Sequence, residues 1–470
     1  MSWSRRDRVT GAARCRLLAV GLLALGLLIA PHARANGVFP SVSQLVIEPG
    51  APSHLYLRTT FGVVFSRDGG ASWSWLCEDA LGYTNTLPPI AVLAGGELLV
   101  GVPTGVSHGS VESCGFELAR GLGSNVVDLA VARSGPPLVV ALSIDFVTHV
   151  SQVWESSDAG ASFAALGPEL PDLQATTLDV APSDSSVIYV SGMPTTGVAH
   201  GVLLRSRDHG VSFETLPIPD SVGEGWPYIA AVAPDDPDTL YVRLAGVPGR
   251  LKVSHDGGET FSEPLTLDYE LQGFALAPDG KSLLVSSPTA GTFRADTSSF
   301  AFEQIACFGV SCLKWAGSTV FACGDQTSDG FTVGASSDEG RSYARLLNFE
   351  CIEPYSGCAD TTAVGSICPS LWPWIQMQLA GFGECGAEKP VPPPDRQCFG
   401  AAGHGSSGEG GAGAGSNSDA GAGGASSPPS HADSGCGCYL ASTPERGLVS
   451  ALLSAWLVAL VLKRRRSKVG

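Results

Sequence analysis

The chain contains 470 residues, 44% of them hydrophobic, and carries a formal net charge of −17. Both ends are basic: without residues 1–35 and 463–470, 17 basic residues stand against 44 acidic ones, a net charge of −27. This balance argues against a nucleic acid or an anionic lipid surface as a partner of the chain between the two ends.

Residues 1–35 have the three parts of a secretory signal peptide. Five arginines between Arg5 and Arg16 precede an apolar run from Leu17 to Ala30, and an Ala-x-Ala site ends at Ala35. This order predicts cleavage after Ala35 and export of the mature chain. A retained membrane anchor is the alternative, although the apolar run is short for a membrane span.

An eight-residue phrase, Ser-x-Asp-x-Gly-x-Ser/Thr followed by an aromatic residue, occurs five times, first from Ser66 to Trp73. Each copy lies between two short apolar runs, which is the pattern of a β-hairpin with the phrase as its turn. The Asp side chain can accept backbone N–H bonds inside the turn, and the Gly can adopt a positive φ angle. A turn-stabilising role, rather than metal binding or catalysis, is therefore predicted for Asp68, Asp158, Asp208, Asp256 and Asp338.

Two shorter versions of the phrase, ending at Phe116 and Phe300, fill the gaps between these copies. Successive aromatic residues are then 43, 47, 50, 48, 39 and 43 residues apart. A period in the forties with several strands per unit is typical of a β-propeller with one four-stranded sheet per blade. The sequence predicts an all-β, seven-bladed propeller over residues 36–350. The aligned aromatic residues are Trp73, Phe116, Phe163, Phe213, Phe261, Phe300 and Tyr343.

These phrases resemble the Asp-box (BNR) repeat of the sialidase-like propellers. The resemblance covers about residues 41–350. It implies that each box lies on the hairpin between the two outer strands of a blade, away from the central binding cleft. Propellers of this family include hydrolases, receptors, assembly factors and binding modules, so the resemblance implies the fold and leaves the activity open.

Residues 351–398 form a Cys-rich extension, and ten of the 13 cysteines lie between the two termini. An even number on an exported chain predicts disulfides. Cys77 and Cys114 belong to neighbouring units and are candidates for a bond between blades. Cys312 and Cys323 flank a strand–turn–strand stretch and are candidates for a bond across a hairpin. A zinc site is the rival interpretation, but the histidines do not fall at metal-ligand spacing from these cysteines.

Residues 399–435 are rich in Gly, Ala and Ser, and this composition predicts a disordered stalk.

Residues 436–470 contain Cys436 and Cys438, then an apolar run, then a basic cluster. The basic cluster predicts a membrane helix that leaves the propeller outside the cell. This order resembles the MYXO-CTERM sorting signal of myxobacterial surface proteins, which implies removal of the tail near Cys436, or near Cys438, and display at the cell surface. A disulfide involving the two cysteines and an ordinary C-terminal anchor are the alternatives.

The resemblance to sialidases also raises the question of glycoside hydrolysis. That family uses an arginine cluster for the substrate carboxylate, a tyrosine nucleophile activated by a glutamate, and an aspartate as acid and base. Its early Phe/Tyr-Arg-Ile-Pro motif is missing, since the first unit has Arg58 followed by Thr59 and Thr60. The arginines outside the box turns that could take such a role are Arg58, Arg243 and Arg250, and the tyrosines are Tyr56, Tyr189 and Tyr241. Tyrosines at these strand positions more often belong to the core.

The sequence therefore favours an exported, surface-displayed propeller without catalytic residues, which binds a glycan, a peptide or an envelope protein as a monomer. An exported glycoside hydrolase with a diverged site is the alternative, and an assembly factor for an envelope complex is a third possibility. No cofactor is predicted. Calcium is a minor alternative, because acidic turns of extracellular β proteins can bind it.

Overall fold

The computed structural model describes residues 40–386, apart from 85, 133–137, 198–199 and 222–224. Twenty-eight strands form seven four-stranded antiparallel sheets, and each sheet takes four consecutive strands of the chain. The all-β, seven-bladed prediction is confirmed. The predicted signal peptide with Ala35, the stalk, and Cys436 and Cys438 lie outside the described residues.

Each blade runs outward from its first strand to its fourth. Blades 1 to 3 contain β1 (Val42–Ile47), β2 (Leu55–Thr59), β3 (Gly62–Ser66) and β4 (Trp73–Leu76); β5 (Ile90–Val92), β6 (Glu97–Val102), β7 (Gly105–Ser110) and β8 (Phe116–Leu118); and β9 (Asn125–Val131), β10 (Val139–Asp145), β11 (Val150–Ser156) and β12 (Ala164–Leu170). Blades 4 and 5 contain β13 (Leu173–Val180), β14 (Ile188–Pro194), β15 (Val202–Ser206) and β16 (Glu214–Pro217); and β17 (Pro227–Val232), β18 (Leu240–Leu244), β19 (Gly249–Ser254) and β20 (Ser262–Leu267). Blades 6 and 7 contain β21 (Gly273–Leu276), β22 (Ser282–Ser287), β23 (Gly291–Asp296) and β24 (Glu303–Ala306); and β25 (Cys312–Ala316), β26 (Thr319–Cys323), β27 (Val333–Ser336) and β28 (Ala344–Leu347).

The first strand of every blade lies beside the first strands of both neighbouring blades, so the seven strands surround an axial channel. The ring closes between blades 7 and 1, where the Ser311 hydroxyl donates to the Val42 carbonyl at 3.2 Å. Because neighbouring strands are antiparallel, the turns divide between two faces. We call the face with the boxes and the first-to-second-strand turns the box face. The opposite face, with the second-to-third-strand turns and the connections between blades, is the mouth face.

The five boxes join third to fourth strands with one hydrogen-bond pattern. In the first box, Asp68 Oδ1 accepts from the Ser72 backbone N–H at 2.9 Å, and Asp68 Oδ2 accepts from the Ser72 hydroxyl at 2.6 Å. The Ser66 hydroxyl donates to Asp68 and accepts from the Gly70 N–H, both at 2.8 Å. The other four boxes repeat these distances to within 0.1 Å. Short polar side chains thus complete each turn without help from another blade.

The box glycine also lets the turn pack closely on the preceding blade. Gly258 has a φ of 94°, and a Cβ there would lie 2.2 Å from a methyl carbon of Leu203 in blade 4. Gly160 repeats this arrangement against Leu99 of blade 2, at 2.4 Å. The position therefore requires glycine both for its backbone angle and for the contact between blades.

Blade 6 departs from the repeat. Phe300 lies in the turn with a φ of 49°, ahead of β24, whereas Trp73 and Phe116 begin their fourth strands. It still packs toward the preceding blade, with its ring centroid 6.4 Å from that of Tyr241. The shortened phrase of blade 6 therefore keeps the aromatic contact with the preceding blade but gives the turn a different backbone conformation.

The chain after blade 7 returns to the outer edge of blade 1. A 3-10 helix (Phe349–Cys351) leads into β29 (Ile352–Pro354), which pairs in parallel with β4 as a fifth strand. Helix α2 (Ala363–Leu379) and a 3-10 helix (Ala380–Phe382) follow, and α2 packs on the short helix α1 (Glu78–Leu81). The Cys-rich extension thus covers an edge strand that would otherwise expose unpaired backbone groups.

The disulfides correct one predicted pairing. Cys77 is bonded to Cys368 and Cys114 to Cys358, so the proposed bond between Cys77 and Cys114 is wrong. The reason is the path of the extension, which runs past both cysteines and keeps each beside a partner far along the chain. Two further disulfides join cysteines that are closer in sequence. Cys312–Cys323 lies across a hairpin, and Cys351–Cys385 lies within the extension.

Candidate functional site

The axial channel is a concave feature with a volume of about 930 Å³ and walls from all seven first strands. Polar or charged side chains line it toward both faces. Polar side chains near the mouth face are Gln44, Thr177, Tyr228, Arg243 and Gln272. Toward the box face the lining includes Pro49, Pro182, Pro234, Pro278 and Trp315, together with the charged residues Glu97, Asp179 and Lys314.

Two of the sequence-predicted arginines lie at this mouth. Arg58 and Arg243 occupy equivalent positions in the second strands of blades 1 and 5. The positions are counted from the second-strand residue that pairs with the first serine of the box in the same blade. Arg58 is paired with Gln44, which flanks a register shift in blade 1, and Arg243 is paired with Tyr228, which lies one residue before the register shift at Ile229 in blade 5. β-Bulges re-aim side chains, and here the bulged strands face the channel.

Both arginines donate to backbone carbonyls of the connection that enters the next blade. The Arg58 guanidinium donates to Leu87 and Pro88 at 3.3 and 3.4 Å, and its Nε donates to the Ser43 hydroxyl at 3.0 Å. The Arg243 guanidinium donates to the Leu271 carbonyl at 2.6 Å. Their donors therefore join blades at the channel mouth.

Arg243 also lies over an aromatic ring. Its guanidinium carbon is 4.9 Å from the centre of the Tyr228 ring, a cation–π distance. Burial lowers the pKa of both Arg58 and Arg243 from the usual arginine value. The carbonyls and the Tyr228 ring replace part of the water that these cations have lost.

Other polar side chains at the same depth link neighbouring blades. The Gln44 amide exchanges two hydrogen bonds with the Ile90 backbone of blade 2, at 3.0 and 3.2 Å. Thr177 Oγ1 accepts from the Ile229 N–H of blade 5 at 2.8 Å. Many of the polar side chains at the mouth thus form hydrogen bonds that join neighbouring blades.

Asp128 is the acidic member of this set. Its Oδ2 accepts from the Leu178 N–H of blade 4 at 2.8 Å, and its Oδ1 accepts from the Leu129 N–H at 2.9 Å. Burial raises the pKa of the Asp128 carboxyl to about 7, although both hydrogen bonds and Arg58 act to lower it. Nearby Asp179 adds to the increase. Sequence reasoning missed this residue, because nothing in its local pattern distinguishes it from an exposed acid.

The predicted tyrosines are core residues. Tyr56, Tyr189 and Tyr241 are all buried in second strands, and the Tyr189 hydroxyl donates to the Pro237 carbonyl of the next blade at 2.9 Å. Burial raises the pKa of each of the three hydroxyls to about 12. A nucleophilic tyrosine needs a neighbouring base or a lowered pKa, so this environment opposes that role.

The described residues do not assemble the arginine cluster of the sialidase-like sites. Of the described residues that line the channel, Arg243 is the one arginine and Tyr228 the one tyrosine. Arg58 lies just behind the wall. Arg250, in β19, lies beside Gly225 and does not contribute to the lining.

Within residues 40–386 and their stated gaps, no three His, Cys, Asp or Glu side chains are grouped closely enough to hold a metal ion. In the same part of the chain, no helix has both the length and the apolar character needed to cross a membrane.

Comparisons with known proteins identify the fold alone. No protein-family match and no match among curated protein sequences is found for this chain. A Kuenenia stuttgartiensis hydrazine synthase structure is similar over 65% of this chain and 97% of its own, with a TM-score of 0.50 and 11% identity. An ancestral GH74 enzyme gives a TM-score of 0.47 at 15% identity over 60% of this chain and 40% of its own. Its own seven four-stranded sheets place the chain, by architecture, among the seven-bladed β-propellers.

Proposed function

We propose that this protein is exported, displayed at the cell surface, and binds a glycan, peptide or envelope-protein partner without converting it chemically. One observation carries the proposal: the arginines nearest the channel donate to backbone carbonyls of the next blade. A substrate carboxylate would have to compete with those carbonyls for the guanidinium donors.

The axial channel is the proposed binding site. Its volume of about 930 Å³ lies within the range of about 300–1,000 Å³ of known ligand pockets. Apolar walls with a few placed polar groups are the usual composition of such pockets. Tyr228 and Gln272 at the mouth would orient a ligand, and the channel would receive the part that enters.

Export is supported by the four described disulfides, because disulfides are typical of oxidising compartments. The predicted signal peptide ending at Ala35 and the predicted sorting tail after Cys436 support display of the exported protein at the cell surface. Intact-mass measurement of the surface protein tests this display route, since a mass that includes the terminal basic cluster contradicts processing near Cys436.

An exported glycoside hydrolase is the second candidate, and one observation favours it. A general acid at neutral pH needs a carboxyl with a raised pKa, and Asp128 has one. Asp128 is, however, hydrogen-bonded to two backbone N–H groups and does not line the channel.

The deciding experiment compares binding and turnover in the purified mature protein. We expect ligands from glycan and peptide arrays, and no hydrolysis of fluorogenic sialosides or other glycosides above background. Ala231→Phe, which narrows the channel, is expected to abolish binding, whereas Ala71→Phe on an exposed box turn is expected to retain it. Turnover that disappears in Ala231→Phe would establish the hydrolase instead.

A further inference from the structure

Large apolar side chains project from the turns of the mouth face. Leu87 is 48% exposed, Phe146 56%, Val147 89% and Val247 71%. They belong to three separate connections: β4 to β5, β10 to β11, and β18 to β19. On the box face, Val211 is the one large apolar side chain among the described turn residues that is comparably exposed, at 68%. Among the described turns of the blades, large exposed apolar side chains therefore lie mainly on one side of the ring.

The turns that carry these side chains are ordered by polar contacts. Asp145 Oδ1 accepts from the N–H groups of Val147 and Thr148, at 2.8 and 3.2 Å. The Leu87 carbonyl is bound by Arg58, and the Ala245 N–H donates to the Trp226 carbonyl at 2.9 Å. The exposed side chains themselves add little to these turns. Apolar groups held on a fixed backbone lose little conformational entropy when a partner covers them.

The same face carries mostly negative charge. Its described connections contain one exposed lysine or arginine side chain, Arg120. Their exposed carboxylates are Asp79, Asp145, Asp172, Asp220, Asp268 and Asp325. One of these, Asp220, is paired with Lys252 at 3.4 Å. A partner that covers the apolar turns must therefore also offset several negative charges.

We propose that the mouth face docks a cationic protein segment that carries apolar side chains, such as a basic amphipathic helix. The apolar turns would contact its apolar side, and the surrounding carboxylates would attract its lysines and arginines. This deepens the proposed function by naming the class of partner, and it rests on that function. A neutral glycan would satisfy neither the apolar turns nor the charge.

The test uses the mature protein and a short synthetic peptide of lysine and leucine, with binding followed by fluorescence anisotropy. We expect binding that weakens as salt is raised, and no binding of the same peptide with glutamate in place of lysine. The double variant Phe146→Ser/Val147→Ser is expected to bind at least about tenfold more weakly, because two apolar side chains lose their contact. Val211→Ser on the box face is the matched control and is expected to bind as wild type. Unchanged melting temperatures show that these surface variants fold.

Equal losses in Val211→Ser and in the double variant would overturn the proposal, because the peptide would then bind the acidic protein without preference for a face. Binding of the glutamate peptide, or no binding of the lysine peptide, would overturn it as well. The proposed function is judged separately: array binding that Ala231→Phe abolishes supports it even when the lysine peptide fails.

Discussion

The box turns and the channel mouth use the same kind of side chain in opposite ways. In the boxes, Asp256 and its four equivalents accept hydrogen bonds from their own turn and stay in contact with water. The hydroxyl and backbone N–H of Thr260 hold the pKa of Asp256 down at about 2. Behind the channel wall, Asp128 accepts from the next blade, and burial raises its pKa to about 7. Aspartates in this fold thus stabilise either a turn or a junction between blades, and only the junction requires desolvation.

The largest expected effect is the pH dependence of Asp128. Its folded pKa lies above the usual value of 3.8, so the folded state binds more protons than the unfolded state between about pH 4 and about pH 7. Its contribution to stability is therefore full below pH 4 and declines as pH rises through this window, by on the order of a few kcal/mol.

Asp128→Asn should remove that decline, which urea denaturation at a series of pH values would measure. Asp256→Ala is the comparison with opposite sign, because the depressed pKa of Asp256 makes its contribution present above about pH 4 and lost as pH falls toward 2. Identical pH profiles for wild type and Asp128→Asn would contradict the assigned role.

Arg243→Ala should be the next largest change. It leaves the Leu271 carbonyl and the Tyr228 ring without the guanidinium, and we expect a loss of about 2–3 kcal/mol in the free energy of unfolding. Arg207→Ala is the control, since its ion pair with Asp238 is exposed and should contribute at most about 1 kcal/mol. If the two losses are equal, Arg243 does not join blades in the way that the contacts indicate.

Gly258→Ala, compared with Gly69→Ala, separates the two requirements for glycine in the box, which are the positive φ angle and the close contact with the preceding blade. A Cβ at Gly258 would overlap Leu203, whereas Gly69, also at positive φ, has nothing within 4 Å. We expect Gly69→Ala to cost about 1 kcal/mol and Gly258→Ala about 1 kcal/mol more, since it also displaces the neighbouring blade. Thermal unfolding of both variants measures the difference, and equal costs would show that the blades do not meet closely there.

Asp208→Ala should have the smallest effect. It removes hydrogen bonds that stay within one exposed turn, so we expect the melting temperature to fall by a few degrees while partner binding is retained. Calorimetry together with the array assay checks both parts, and lost binding at an unchanged melting temperature would contradict a purely structural role.

The periodicity of the boxes was sufficient to predict the number of blades and the hairpin at each Asp, because these depend on residues close in sequence. The close approach of Gly160 to Leu99 could not be predicted, since it depends on how two sheets pack. The role of Arg58 could not be predicted from the sequence either. Arg58 was one of three arginines outside the box turns that could bind a substrate carboxylate, but only the folded ring shows the carbonyls of Leu87 and Pro88 within reach.

Local sequence determined this protein's repeats, turns and strand content, since a turn is satisfied within a few residues and a strand by its alternating side chains. Tertiary structure alone decided the partners of Cys77 and Cys114, which lie 291 and 244 residues away, and whether a polar side chain near the axis faces a ligand or the next blade. The physical reason is that closing the ring brings together groups from distant parts of the chain. Their desolvation and pairing depend on that geometry, and no local pattern records it.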